Sequence, residues 1–119
     1  MTGSPSWRGL TVDESAIVTA FVSRTEVPGW QQIVEKLDGA RVRQAAPWIL
    51  DIDLGAGPRI DVPNGPLPGR AYVQSEAAYQ GEIIVWIADG HVCGLEYAWV
   101  TDAPPSRWPH PDEMEIVRG

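Results

Sequence analysis

The sequence predicts an α+β domain: two N-terminal helices packed on a four- or five-stranded antiparallel sheet, with an extended, proline-rich C-terminal tail. Three observations carry that prediction. Residues 12–37 hold two stretches of helical apolar spacing. Residues 48–100 hold apolar–polar alternation punctuated by Gly and Pro. Asp89-Gly90 joins two long β-branched and aromatic runs. Helices followed by strands, rather than interleaved with them, favour helices segregated to one face of an antiparallel sheet.

Residues 1–10, MTGSPSWRGL, read as a loose lead-in rich in Gly, Ser and Pro. Thr11-Val12-Asp13-Glu14 then forms a capping-box pattern, in which Thr11 accepts the amide of the third helical residue and Glu14 reaches back to the Thr11 amide. Asp13 and Glu14 also suit the positive end of a helix. This helix is expected to run to about Arg24, with Ile17, Ala20 and Phe21 on one stripe and Val18 beside it. Pro28-Gly29 interrupts, and Trp30, Ile33, Val34 and Leu37 repeat at helical spacing in a second helix that Gly39 terminates. Neither helix is stable alone at such length, so both must bury their stripes against something apolar.

That support is a sheet. Trp48 to Leu54 is a strand with Trp48, Leu50, Ile52 and Leu54 on the core face and Ile49, Asp51 and Asp53 on a mostly wet one; Arg41 to Gln44 is its lead-in. Residues 55–69, GAGPRIDVPNGPLPG, form a loop whose prolines exclude a long central strand and leave room only for brief edge pairing at Ile60–Val62. Arg70 to Ser75 is a further strand. The hairpin from Gly81 to Val100 turns at Asp89-Gly90, the strongest short-range hairpin signal because both residue types tolerate positive φ. Before the turn both phases are apolar, Ile83, Val85 and Ile87 against Ile84 and Trp86. Such a strand belongs in the centre of a sheet, with helices covering one face and the other left without assigned cover. The tail, residues 101–119, cannot be regular through Pro104, Pro105, Pro109 and Pro111, and is expected to wrap the body in extended form with Trp108 or Met114 as anchors.

The 119 residues suit one domain spanning the whole chain. Nine basic residues stand against 16 acidic ones, a formal charge of −7. That sign repels phosphate backbones, and Arg41 with Arg43 is too small a cluster to reverse it, so nucleic acid is excluded as a partner. No apolar run reaches the roughly 18 residues of a membrane span, and the first residues lack the pattern of a signal peptide. A single cysteine, Cys93, excludes an internal disulfide and a cysteine-rich metal site and suits a reducing compartment, so the expected location is cytoplasmic.

Candidate chemistry is sparse. Asp51 and Asp53, two apart on a strand, point to one face and are the one carboxylate pair with the geometry for a cation or acid–base work, yet no calcium-loop pattern surrounds them. His91 and Cys93 are the sole Cys/His pair, and the same i, i+2 spacing puts them on one strand face. No phosphate-binding glycine loop, HExxH or GxSxG motif occurs, so no catalytic, metal or cofactor residues are assigned and an enzyme is disfavoured. Of the six tryptophans, Trp30, Trp48, Trp86 and Trp99 read as core, while Trp7 and Trp108, in irregular termini, are open to a binding role.

Residues 95–114, LEYAWVTDAPPSRWPHPDEM, resemble the close of a group of small actinobacterial proteins of no assigned activity, which end in an aromatic strand followed by D-x-P-P-x-x-x-P-x-P. Asp102, Pro104, Pro105, Pro109 and Pro111 carry that pattern here, and Pro28-Gly29, Ile33 to Leu37 and Ala40-Arg41-Val42 match earlier elements. The resemblance spans most of residues 12–114. Many of those proteins have a short cysteine cluster where this chain reads Ala45-Ala46-Pro47-Trp48, so no metal or redox role transfers.

Two functional readings follow. One is a non-catalytic acidic protein-binding module, inhibitor- or immunity-like, with Trp7, Trp108, Asp51 and Asp53 as contact residues. The other is a small-ligand-binding or hydrolytic protein whose pocket, between helices and sheet, is lined by Tyr97, Cys93 or His91, with Asp51 and Asp53 nearby. A homodimer through the uncovered sheet face is a further expectation.

Overall fold

A two-residue strand β1 (Arg8–Gly9) precedes helix α1 (Val12–Arg24), which begins at the capping box. Thr11 Oγ1 accepts the Glu14 amide at 3.1 Å, and Glu14 Oε1 accepts the Thr11 amide at 2.8 Å. Helix α2 (Trp30–Leu37) follows the Pro28-Gly29 step. The remaining strands are β2 (Arg41–Ala46), β3 (Ile49–Asp53), β4 (Gly65–Pro66), β5 (Arg70–Ser75), β6 (Ala78–Ala88), β7 (His91–Trp99) and β8 (Met114–Val117). These positions come from a computed structural model, which describes residues 6–55, 59–75 and 78–118.

Among the described residues eight strands join one antiparallel sheet in the order β1-β2-β3-β7-β6-β5-β8, with β4 pairing the part of β6 that β5 does not reach. The sheet is therefore larger than the four or five strands expected. Arg41–Ala46 is a full strand rather than a lead-in, residues 8–9 of the lead-in pair with it, and the brief pairing assigned to Ile60–Val62 occurs instead at Gly65–Pro66. The tail also gains order: Pro111–Glu113 makes a 3-10 turn and β8 pairs β5 along its length. Strands this short carry no readable alternation; they form because a neighbouring strand offers unpaired backbone groups that must be satisfied. The start of the lead-in, residues 1–5, lies outside the described residues.

The helices cover one face. Ile17, Val18, Phe21 and Val22 of α1 and Ile33 and Leu37 of α2 are buried in one cluster with Val42, Leu50, Ile52, Val73, Ile83, Val85, Ile87 and Leu95 of the sheet. Met114 joins this core, as the tail reading expected, and Trp108 packs at its margin. At the β6–β7 turn Asp89 and Gly90 have φ of 52° and 77°, the two positive values a two-residue type I′ turn needs. The Ile60 amide donates to the Gly90 carbonyl at 2.8 Å, and a Cβ on Gly90 would lie 2.8 Å from the Ile60 carbonyl oxygen. Glycine is required there by backbone approach as well as by φ. Among the described residues no helix is long and apolar enough to cross a membrane.

Trp48 departs from its expected place at the head of a core strand. Pro47-Trp48 is the β2–β3 turn, and Trp48 holds φ at +63°. A bulky residue in that region is strained. It is retained by contacts: its carbonyl accepts the Tyr97 amide at 2.9 Å, and its ring meets Tyr97 and Trp108 edge-on at 5.9 and 5.3 Å.

Candidate functional site

Strand parity divides the sheet into a dry side and a wet one. In β6, Ile83, Val85 and Ile87 are buried, while Glu82, Ile84 and Trp86 between them stay half-exposed. The cross-strand register carries this division over the sheet: Ile49, Asp51, Tyr72 and Glu96 share the second side with them. None of these side chains is buried. Trp86, read from sequence as core, therefore belongs to the open face.

Trp86 occupies the middle of this face. Its register partner is Gly94, where an added Cβ would stand 3.4 Å from Trp86 Cβ and 3.2 Å from the Leu50 carbonyl oxygen, so the missing side chain leaves the indole room to lie down. Trp86 Nε1 donates to Glu96 Oε1 at 3.1 Å. Glu96 itself sits between Ile49 on β3 and Ile84 on β6, its two register partners. The result is a carboxylate in an aliphatic collar, one oxygen held by an indole. No cation pairs with Glu96 among the described residues.

The surrounding charges are already matched. Arg43 donates to Asp51 Oδ2 from Nη2 at 2.9 Å, and its guanidinium lies 4.7 Å from the centre of the Trp7 ring. Arg70 donates to both Glu82 oxygens at 2.6 Å, holding that carboxyl below its usual range, and lies over the Tyr72 ring. Arg41 donates to the Trp7 carbonyl at 3.3 Å. Asp53 accepts the Gly55 amide at 2.8 Å. Two of the residues proposed for protein contact, Trp7 and Asp51, are thus brought together through Arg43, with Asp53 nearby in β3. Trp108 is not among them, since it packs against Trp48 and Tyr97 at the core margin. A third acidic ligand for Asp51 and Asp53 is lacking, and no group of three metal-ligating side chains occurs among the described residues.

The supposed ligand-pocket residues do not converge. A β-bulge between Trp86 and Ile87 lets Ile87 pair with Val92 but Trp86 with Gly94, leaving Cys93 as the extra residue. His91 pairs with Ala88 at the turn end of the strand, whereas Cys93 lies near the Asp51 carboxylate. His91 instead lines a small depression with Ile33, Leu54 and Ile60 near α2. Burial, and then the Asp51 carboxylate, push the Cys93 thiol up, the opposite of what a nucleophile needs.

Tyr97 is 5% exposed on the core side. It lines a cavity of about 150 Å³ under the tail with Ser75, Gln80, Arg107 and Glu113. Arg107 donates to both Glu113 oxygens at 2.7 and 2.9 Å, and this pairing, with the His110 amide, draws the Glu113 carboxyl down to about 2. The cation is spent internally, and the space falls below the ~300 Å³ at which small-molecule pockets begin. A wider depression, about 650 Å³, is an open groove along α1 lined by small side chains such as Ala16, Thr19 and Ala20, with Ser15, Ser23, Arg24 and Asp38 also lining it.

No protein-family model, curated protein or solved structure matches this chain. Function must come from the chemistry of the site. The sequence offered no site role for Glu96, and Arg43 figured only as half of a small basic pair. The signal for Glu96 was its phase: it alternates with Leu95 and Tyr97, and so shares the wet side of the hairpin with Glu82.

Proposed function

We propose that this protein is a non-catalytic, acidic protein-binding module of the inhibitor or immunity type, which engages its partner through the open sheet face. The observation that carries the reading is that face itself: Ile49, Ile84, Trp86 and Tyr72 stand together, half-exposed, on the side of the sheet opposite the helices. A sheet strand apolar in both phases gains from cover on both sides. Tryptophan, tyrosine and arginine, here Trp7, Trp86, Tyr72 and Arg43, are the residue types that dominate binding energy at protein interfaces. The chain's formal charge of −7 speeds encounter with a basic partner.

A second copy of the chain is the weaker occupant. The face bears Asp51, Asp53, Glu82, Glu96 and Glu115 against Arg41, Arg43 and Arg70, five acids minus three bases, a formal excess of two acids that a second copy repeats.

Site-specific photocrosslinking tests the reading. A photoreactive residue at position 49 or 84 is expected to trap one discrete protein partner in the source cell, and the same group at Gln32 on α2 to trap none. Adducts of the chain only with itself would replace the hetero-partner by a homodimer. Equal labelling from all three positions, together with saturable binding of a metabolite, would overturn the module reading.

A further inference from the structure

Among the charged groups of the open face, Glu96 differs in kind from its neighbours. Among the described residues Asp51 and Glu82 each hold an arginine, Asp53 holds a backbone amide, Glu115 stands exposed on the edge strand β8, and Glu96 holds only the Trp86 indole N–H. It also stands centrally, on β7 between β3 and β6, with Ile49 and Ile84 on either side. A partner that covers those isoleucines withdraws Glu96 from water. A carboxylate so withdrawn is destabilising unless the partner returns a cation with hydrogen bonds.

We propose, resting on the module reading above, that Glu96 is the recognition point of the face and takes an arginine side chain of a basic protein partner, with Trp86 as its positioning residue. Among the described residues Oε2 takes no hydrogen bond, and Oε1 keeps a lone pair beyond the Trp86 bond, so the carboxylate accepts the paired donors of a planar guanidinium. Trp86 adds an aromatic surface beside it, which arginine uses better than lysine does. A second copy of the chain does not supply this cation. Arg43 and Arg70 are already engaged with Asp51 and Glu82, and Arg41 with the Trp7 carbonyl. The bond from Trp86 fixes the carboxylate's direction, so the face selects for geometry as well as charge.

The test uses the full chain and random peptides displayed on phage, selected at physiological ionic strength so that the net charge alone is largely screened. Peptides that bind the face are those weakened by Trp86→Ala or by Ile49→Ser, two variants altered on the half-exposed side, whose folding is checked by thermal melting. Those peptides are expected to share an arginine at one position and to lose at least about tenfold in affinity, ~1.4 kcal/mol, on Glu96→Gln. Glutamine keeps an oxygen for the Trp86 indole, so the substitution removes the charge and leaves the local geometry. Asp38→Asn, an equal loss of charge at the end of α2, is expected to change little. Trp86→Phe, which removes the N–H but keeps a ring, is expected to narrow the preference for the arginine peptide over its lysine counterpart. Face-binding peptides that lack arginine, or that ignore Glu96→Gln, overturn the role of Glu96 and leave the module reading standing. A selection yielding no peptide sensitive to either face variant overturns both.

Discussion

Replacing Arg8 by alanine removes one half of the most buried ion pair in the described structure. Arg8 Nη1 and Nη2 reach Glu14 Oε1 and Oε2 at 2.9 Å each, and the Glu14 side chain is 3% exposed while that of Arg8 is 44% exposed. Losing one partner of a fully buried pair costs about 3–5 kcal/mol. Exposed pairs are worth about 0–1 kcal/mol. This pair lies between: water already reaches the guanidinium, and Glu14 keeps the Thr11 amide at 2.8 Å after Arg8 is gone. The expected cost at neutral pH is about 2 kcal/mol, or roughly 8 °C in melting temperature for a domain of this size.

The dependence on pH supplies the stricter test. Burial pushes the Glu14 carboxyl up, but the Arg8 bonds and the Thr11 amide outweigh it and leave the group below its ordinary value of 4.5. A folded-state value below the unfolded one contributes stability above that ordinary value and loses it as pH falls through the folded value. Urea unfolding followed by tryptophan fluorescence is therefore expected to separate the wild type and Arg8→Ala at pH 7 and to bring them together in acid. An equal deficit at both pH values, or none at pH 7, would refute the reasoning. The same pair ties β1 to the start of α1, so the variant also loosens Trp7 at the rim of the open face.

Three further outcomes follow from the geometry. Gly94→Val drives a branched side chain toward Trp86 Cβ and the Leu50 carbonyl oxygen, at 3.4 and 3.2 Å from an ideal Cβ. The expected cost is about 1–3 kcal/mol with a shifted Trp86 indole N–H resonance, and an unmoved resonance would show that the indole does not lie over Gly94. Trp48→Gly relieves about 1 kcal/mol of left-handed strain but forfeits contacts with Tyr97 and Trp108, worth about half of the ~3–5 kcal/mol of a fully buried ring, so chemical denaturation should register a net loss of about 0.5–1.5 kcal/mol. Greater stability in that variant would mean the ring cluster does not hold the turn. Cys93, its thiol pushed up by burial and by Asp51, is expected to react with iodoacetamide more slowly at pH 7.5 than a free thiol and faster in Asp51→Asn; rapid labelling of the wild type would reinstate the cysteine as a reactive group.

The helices and the hairpin were legible because their signals are local. Thr11 and Glu14 are three residues apart, the stripe from Trp30 to Leu37 repeats every turn, and Asp89-Gly90 meets the demands of its turn without distant help. The sequence by itself also determined the charge of the chain and the existence of a strand apolar in both phases. Only the tertiary structure decided which phase of β6 the helices cover, because parity is symmetric until one side packs. It decided too that β1, β4 and β8 are strands, through hydrogen bonds offered by neighbours far away in the chain. It also put a bulge opposite Trp86, where Cys93 is an extra residue of β7 that the spacing did not announce. Glu96 acquired its setting in the same way: Ile49 and Ile84 lie 47 and 12 residues from it in the chain and stand beside it only in the paired sheet. Local propensity reads along the chain, whereas a binding face is made across strands, by contacts whose sequence separation leaves no periodic trace.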